Sequence, residues 1–178
     1  VGTQLGLFLL DIKTDEMVTL LANPADRYSL PHNSIWSIYP DPDGGVWIGT
    51  YGGKLAYMSF DDNRVVFKSF SKGGLNSPIV SCFEEDKSGN IWIGTEGGGI
   101  NCWNRRRNEY SYYTQSLSNG INYNLIKSLL FDSKKRKILI SSFNGGISEY
   151  NTETKKFEDL KLYHPSRPGR YLSVYNFA

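Results

Sequence analysis

Few side chains in this sequence are of the types that carry out chemistry. Its two histidines, His32 and His164, stand far apart, and His32 follows a proline between predicted strands. A catalytic triad or a histidine-rich metal site therefore has little support, and we expect no metal and no cofactor. Glu84-Glu85-Asp86 could act as paired carboxylates in acid–base catalysis. An acidic residue recurs at the same place along the chain, however, which indicates a structural turn.

Composition indicates an all-β globular protein. Apolar residues make up 39% and charged residues 21% of the 178 residues, which is the balance of a folded domain rather than a disordered chain. The chain has 18 Gly and 12 Tyr, and many turns with many large flat side chains are typical of β-structure. The net charge of +2 gives no support for a nucleic-acid partner, and no apolar stretch is long enough to cross a membrane.

A repeated motif determines the predicted fold. Val46-Trp47-Ile48-Gly49-Thr50 recurs about 45 residues later as Ile91-Trp92-Ile93-Gly94-Thr95, and again, degraded, as Ile138-Leu139-Ile140-Ser141-Ser142. Val1-Gly2-Thr3 is the end of a fourth copy, and glycines follow every copy within a few residues. Self-similarity at a fixed period of this length is the mark of a repeat architecture.

Two further features recur in register with this motif. Upstream lies a pair of apolar residues three positions apart, and the pairs are Ile35/Ile38, Val80/Phe83, Ile126/Leu129 and Val174/Phe177. An acidic residue leads a polar turn after each of the first three pairs, at Asp41, Asp86 and Asp132. The repeat therefore extends well beyond the tryptophan motif.

Each period is interpreted as four short antiparallel strands, named a to d along the chain. Strand a carries the apolar pair, strand b the Trp-Ile-Gly-Thr segment, strand c follows the glycines, and strand d ends the period. Four such strands repeating about every 45–47 residues predict the blade of a β-propeller. Because strand b is apolar on both faces, a blade must stack on its neighbours. The alternative is a β-sandwich with coincidental similarity between strands.

The sequence predicts one propeller fragment of about four blades over residues 1–178. A partial blade occupies 1–28, whole blades occupy 29–73, 74–119 and 120–163, and the first strand of another blade occupies 164–178. Both ends interrupt a repeat, so we expect the chain to be part of a longer protein.

The predicted blades assign the two cysteines to strands of one blade. Cys82 and Cys102 fall on strands a and c of one blade, about 9.6 Å apart across strand b, which exceeds the ~7 Å limit for a disulfide. Both are interpreted as small buried apolar residues.

Two basic runs fall in turns between predicted strands. The runs Arg105-Arg106-Arg107 and Lys134-Lys135-Arg136 fall in a c–d turn and the next a–b turn. Such turns open on one face, so the runs form either a basic patch for an acidic oligosaccharide or a protein, or ordinary solvated turns.

The repeat resembles a known family. Pro78 to Gly99 is the cleanest copy, with Glu85-Asp86-Lys87-Ser88-Gly89-Asn90 leading into the tryptophan motif. This pattern is similar to the regulator-propeller repeat of hybrid two-component systems, and it lacks the Trp-Asp and Gly-His marks of WD repeats. The third copy departs from the pattern, with Ser141-Ser142 in place of Gly-Thr and Lys135-Arg136 in place of Gly-Asn.

The resemblance implies a place in a larger receptor. In that family two seven-bladed propellers usually precede an immunoglobulin-like domain, a membrane span, a histidine kinase and a DNA-binding response regulator, and they detect oligosaccharides released from complex glycans. The implied role is an extracytoplasmic ligand sensor on the periplasmic side of the inner membrane, forming about half of one ring. We expect no enzyme activity here, since any kinase would lie in another domain. The alternative is a propeller scaffold that binds another protein and no small molecule.

A ligand would meet the d–a and b–c connections, because strand order puts both on one face of the ring. The residue directly after the Gly-Thr position varies while the framework around it repeats, which is how a scaffold carries specificity on loops. The candidate residues are Tyr51, Glu96 and Phe143 after strands b, with Asn33, Asn76 and Tyr123 before strands a. Aromatic, carboxylate and carboxamide groups suit a sugar, although ordinary polar loops are an equal alternative.

The ends of a partial stack of blades predict contacts with other chain segments. A partial ring exposes the apolar faces that would otherwise lie between blades, and such faces tend to find a partner. We therefore expect self-association and contact with the rest of the same propeller, while the family resemblance implies an oligosaccharide ligand. A stable monomer would instead favour a closed four-bladed ring.

Overall fold

A computed structural model describes residues 1–52, 55–61, 64–70, 74–115, 119–160, 162–167 and 169–177, with the backbone alone over 60–61 and 64–70. The predicted blade boundary at residue 73 and the last residue of the predicted 164–178 segment lie outside the described residues. All regular structure in the described ranges is β-structure.

The strands form four antiparallel sheets in which chain neighbours are also spatial neighbours. The first sheet has three strands, β1 (Gly2–Thr3), β2 (Gly6–Leu10) and β3 (Met17–Leu20). The second has β4 (Ile35–Pro40), β5 (Val46–Thr50), β6 (Leu55–Asp61) and β7 (Arg64–Phe70); the third has β8 (Val80–Glu85), β9 (Asn90–Thr95), β10 (Gly99–Asn104) and β11 (Glu109–Tyr113); the fourth has β12 (Ile126–Asp132), β13 (Lys137–Ser142), β14 (Gly146–Asn151) and β15 (Lys156–Asp159). The predicted blades of four antiparallel strands are confirmed.

The end of the chain differs from the expected strand a. Residues 172–177 form no strand, although an isolated bridge joins Tyr163 to Tyr171. The segment is held by single contacts to the fourth sheet, such as the Gly146 N–H donating to the Leu172 carbonyl at 2.9 Å. A ladder needs a partner strand, and none among the described residues pairs with this segment.

Residues 1–80 and 81–178 form two compact units, called unit 1 and unit 2. Each unit has a core of apolar side chains contributed by two of its sheets. The core of unit 1 is Leu7, Leu30, Ile35, Ile48, Ala56 and Met58. The core of unit 2 is Trp92, Ile100, Ile121, Ile126, Leu129, Ile138, Ile140 and Tyr150.

The glycine of the Trp-Ile-Gly-Thr motif lets one strand b approach the next strand a. A Cβ atom on Gly94 would lie 2.7 Å from Cγ2 of Ile126, and one on Gly49 would lie 2.7 Å from Cγ1 of Val80. Both distances are shorter than van der Waals contact. The repeat therefore has glycine here because two side chains occupy the space, one from strand a of the same sheet (Ser37 or Cys82) and the other the first apolar residue of the following strand a.

In two of the three a–b turns the acidic residue has a structural task that the sequence did not reveal. The indole Nε1–H of Trp47 donates to Asp41 at 2.9 Å, and that of Trp92 donates to Asp86 at 2.9 Å. All four residues are buried, so each carboxylate satisfies an indole that water cannot reach. The fourth sheet has a leucine at the tryptophan position, and there the Asp132 carboxylate accepts the turn N–H groups of Lys134 and Lys135, both at 3.0 Å.

Candidate ligand-binding site

An exposed aromatic pair marks the strand-b end of the second sheet. Tyr51 directly follows β5, and its ring stacks on Trp36 with centroids 5.4 Å apart and planes 27° from parallel. His32 lies beside the pair, with its ring centroid 6.4 Å from that of Tyr51. Tyr51 is 49% and Trp36 is 43% exposed. Unit 1 therefore presents a flat aromatic surface to solvent at a predicted candidate position.

β-bulges direct the strand-a residues of this site. The β4–β5 register shifts between Ile35 and Ser37, and the β12–β13 register shifts between Ile126 and Ser128. The residues inside these two irregularities are Trp36 and Lys127. Bulges re-aim a side chain and are over-represented next to functional sites.

The sequence reasoning missed this bulged position, although a signal for it was present. It is the residue after the first apolar residue of strand a, and it varies while its neighbours repeat. The four residues are Trp36, Ser81, Lys127 and Tyr175. This is the same variation that selected the position after strand b.

In unit 2 the position after strand b carries an ion pair between neighbouring sheets. Glu96 directly follows β9, and its carboxylate accepts a hydrogen bond from the Lys127 ammonium. The Glu96 side chain is 13% and the Lys127 side chain 21% exposed. The backbone supports the pair, because Glu96 forms an isolated bridge with Leu125, two residues before Lys127.

Two aromatic rings complete this arrangement. The Lys127 Nζ atom lies 5.8 Å from the ring centroid of Phe143 and 5.9 Å from that of Tyr175. The two rings meet edge to face with centroids 6.2 Å apart. Both distances from the ammonium are within cation–π range. We call Glu96, Lys127, Phe143 and Tyr175 the Glu96–Lys127 cluster.

Residues before the strands a mainly hold the loops in place. The Asn33 Oδ1 atom accepts the Ala22 N–H at 2.7 Å. Tyr123 packs under the b–c turn, since a Cβ atom on Gly145 would lie 2.6 Å from its Cβ. Asn76 is exposed. The contacts of Asn33 and Tyr123 are those of a scaffold, and a ligand role for the three residues stays a prediction.

The two basic runs lie at the opposite end of the unit 2 sheets, where β13 and β14 pair Lys137 with Asn151. Residues 105–107 form the β10–β11 turn, and residues 134–136 lie in the β12–β13 turn. Arg107 lines a cleft of about 310 Å³, and Arg136 lines an adjoining cleft of about 420 Å³. Lys155 lines both clefts.

Acidic neighbours offset part of this basic charge. Arg136 forms an ion pair with Glu153, and Lys135 lies 3.8 Å from an oxygen of Asp132. These pairs are largely exposed, so each contributes little to stability. The runs therefore present less net charge than their sequence suggests, and binding of an acidic ligand or a protein there stays a prediction.

The acidic run Glu84–Asp86, considered above as a possible acid–base site, has structural contacts. One oxygen of Asp86 accepts from the Ser88 N–H at 2.8 Å and the Asn90 N–H at 3.1 Å; the other accepts from the Asn90 side chain and the Trp92 indole, both at 2.9 Å. Four donors hold this carboxylate within its turn. The neighbouring Glu84 has its pKa raised, chiefly by burial.

Both cysteines are free thiols that pack against the core of unit 2. Burial raises the pKa of Cys82 and of Cys102 to about 12, so neither is a thiolate near neutral pH. Among the residues that the structure describes, no group of three or more His, Cys, Asp or Glu side chains could hold a metal ion. The same residues contain no helix long and apolar enough to span a membrane.

Comparison with known sequences identifies two of the blades. Residues 29–52 and 73–97 match the family model of the two-component regulator propeller. These segments are similar to two-component regulator propeller repeats. They cover strands a and b of the second and third sheets and include the residues after strand b, Tyr51 and Glu96. The sequence matches no curated protein.

Solved structures share the fold of these regulator propeller repeats. The extracellular domain of BT3049 from B. thetaiotaomicron, described as a hybrid two-component system, matches with a TM-score of 0.73 and 21% identity over 89% of this chain and 21% of its own. That of BT4673 from the same organism matches with a TM-score of 0.72 and 22% identity over 98% of this chain and 22% of its own. This chain thus spans about a fifth of their length.

A third solved structure with a similar fold is described as a lyase. Virginiamycin B lyase from Staphylococcus aureus matches with a TM-score of 0.60 and 15% identity over 91% of this chain and 50% of its own. Likenesses at these identities establish the fold, which is that of about four propeller blades. They do not transfer an activity.

Proposed function

We propose that this chain is a ligand-sensing propeller segment of a two-component receptor on the periplasmic side of the inner membrane, and that its ligand is an oligosaccharide. The observation that carries the proposal is the meeting of two variable positions at one end of the second sheet and of the fourth sheet. The residue after strand b contacts the bulged residue of strand a in Tyr51–Trp36 and in Phe143–Lys127. Variation confined to neighbouring positions on a repeating framework is typical of a recognition surface.

The side-chain chemistry at these positions supports a sugar. The stacked Trp36–Tyr51 pair is nearly half exposed, and a flat aromatic surface suits the apolar face of a pyranose ring. In unit 2 a carboxylate and an ammonium lie beside two aromatic rings, and they supply an acceptor and donors for hydroxyl groups.

In this proposal the chain binds and does not catalyse. Its regulator propeller repeats connect it to two-component signalling, so phosphoryl transfer belongs to a kinase domain elsewhere in the receptor. The carboxylate of Asp86, in the Glu84–Asp86 run, is occupied by donors from its own turn and from Trp92. A general base needs access to the proton that it removes.

One observation favours the second candidate, a scaffold for another protein segment. The first sheet exposes apolar side chains, with Leu10 52%, Met17 62% and Val18 54% exposed. Neighbouring exposed apolar residues on one sheet mark a contact surface. This surface is compatible with the sensor as well, since a propeller blade stacks on the next one.

The proposal is tested by titrating the full receptor's extracytoplasmic region with a panel of neutral and uronate-containing oligosaccharides, using isothermal calorimetry. We expect at least one oligosaccharide to bind with saturable heat and to protect residues at the strand-b ends from hydrogen exchange. Absence of binding across the panel, with capture of a defined second propeller or subunit instead, contradicts the sensor and supports the scaffold.

A further inference from the structure

We infer that the Glu96–Lys127 cluster selects a neutral sugar ring and discriminates against uronates and other anionic sugars. This inference rests on the proposed function and names the ligand class for its unit 2 site. It is carried by an ion pair between Glu96, which follows strand b, and Lys127, which lies in the bulge of strand a, with two aromatic rings beside the Lys127 ammonium.

The charge of the cluster is already balanced. Glu96 and Lys127 are both mostly buried and in direct contact, so the local field offers no net positive charge to an anion. A ligand carboxylate that reached Lys127 would also approach Glu96, and like charges in a partly desolvated site repel strongly. Separating the pair would leave a buried charge without its partner, which is costly.

The same arrangement suits a neutral polyol. An ammonium has three N–H donors, and one is donated to Glu96, which leaves the ammonium with donors for ligand hydroxyls. A carboxylate can accept several hydrogen bonds at once, so Glu96 can take a ligand hydroxyl proton while it holds Lys127. A hydroxyl both donates and accepts, and it can therefore bridge the two groups without separating them.

The aromatic rings supply the apolar part of the recognition. Tyr175 is 61% exposed, and its ring lies beside the Lys127 ammonium together with Phe143. One face of a pyranose carries C–H groups, and its edge carries hydroxyls. A ring seated on Tyr175 would place that edge toward the ion pair.

The basic runs of unit 2 lie at the opposite end of its sheets from the Glu96–Lys127 cluster. Residues 105–107 lie on a c–d turn and residues 134–136 on an a–b turn, away from the strand-b ends. If acidic sugars were the ligands, the basic residues would be expected in the variable positions after strand b. The positions after strand b in unit 2 instead carry Glu96 and Phe143, and the basic residue beside them, Lys127, is paired with Glu96.

The test compares uronate oligosaccharides with their carboxyl-reduced neutral counterparts, which differ only in charge and one oxygen function. Both are titrated into the wild-type extracytoplasmic region and into Glu96→Gln. This variant keeps the side-chain shape and removes the charge that compensates Lys127. Glu153→Gln is the matched control, because Glu153 also pairs with a basic residue but lies at the opposite end of the sheets. Near-UV circular dichroism and thermal unfolding confirm that each variant is folded.

We expect the wild type to bind the neutral member of a pair more tightly than the uronate. In Glu96→Gln the ratio of the two Kd values should shift toward the uronate by about tenfold or more, which corresponds to about 1.4 kcal/mol, because the variant removes the charge that repels the ligand carboxylate. Glu153→Gln should leave the ratio unchanged.

Different results contradict the selection of neutral sugars and the sensor function itself. Tighter binding of the uronate by the wild type, or a ratio that Glu96→Gln leaves unchanged, overturns the inference while the sensor function stands. Failure of the wild type to bind any oligosaccharide, neutral or acidic, overturns the sensor function and the inference with it.

Discussion

Replacement of Trp92 by alanine is the sharpest test of how the blades of unit 2 pack. The Trp92 side chain is 2% exposed. Its ring stacks on Tyr113 of its own sheet with centroids 5.6 Å apart, and it meets Tyr150 of the next sheet with centroids 4.9 Å apart. Its indole N–H donates to Asp86. A single side chain therefore joins strand b, the acidic turn and the neighbouring blade.

The expected loss of stability follows from these contacts. Truncation of a buried tryptophan to alanine costs about 3–5 kcal/mol. The lost hydrogen bond to a carboxylate contributes about 1.5–3 kcal/mol, but Asp86 keeps its turn donors Ser88 and Asn90. We therefore expect Trp92→Ala to lower the free energy of unfolding by about 5 kcal/mol, the upper end of the range. Trp92→Phe keeps most of the apolar volume and should cost about 1.5–3 kcal/mol through the lost N–H group.

The measurement is urea unfolding followed by far-UV circular dichroism, which does not depend on the removed fluorophore. Trp36→Ala is the control, because Trp36 is 43% exposed and stacks on one exposed ring; its loss should cost about 1 kcal/mol or less. A loss under about 1 kcal/mol for Trp92→Ala, or a loss equal to that of the control, would refute the packing between sheets described above.

Two further predictions concern the thiols and the state of association. Because burial raises the pKa of Cys82 and Cys102 to about 12, a thiol reagent at pH 8 should label the native chain slowly and the urea-unfolded chain at once. The unfolded chain loses these protons at lower pH than the native chain, so stability should fall as pH rises from about 9 to about 12; rapid native labelling would contradict this burial. The exposed apolar side chains of the first sheet predict self-association of the 178-residue chain in light scattering, and a clean monomer would contradict that expectation.

The repeat made the fold predictable, because its spacing reports directly on chain geometry. The tryptophan motif predicted strand b, and β5, β9 and β13 cover its three full copies. The apolar pair predicted strand a in the same way. The exception is Val174–Phe177, which has the sequence pattern of strand a but forms no strand. The spacing of apolar residues indicates which side chains have to be buried. Formation of a strand also requires a partner strand in register.

The candidate site was predictable only where variation interrupts repetition. That contrast selected Tyr51, Glu96 and Phe143, and the structure brings the last two into one cluster. The position of Lys127 also varies among the repeats, but it was missed because a bulge places Lys127 at the site, and no spacing rule for regular strands reports a bulge. The hydrogen bond from the Trp92 indole to Asp86 was missed for a related reason, since the acidic residue already had a sufficient explanation as a turn former.

The central claim is that the residues after strands b bind an oligosaccharide, and one titration tests it directly. The extracytoplasmic region carrying Tyr51→Ala, Glu96→Ala and Phe143→Ala together is compared by calorimetry with the wild type, using an oligosaccharide that the wild type binds. Loss of an aromatic contact and of a hydrogen bond to a carboxylate amounts to about 2 kcal/mol or more, so affinity should fall by about thirtyfold or more while the circular dichroism spectrum stays native. Unchanged affinity in this folded triple variant would contradict the claim and place the binding surface elsewhere on the chain.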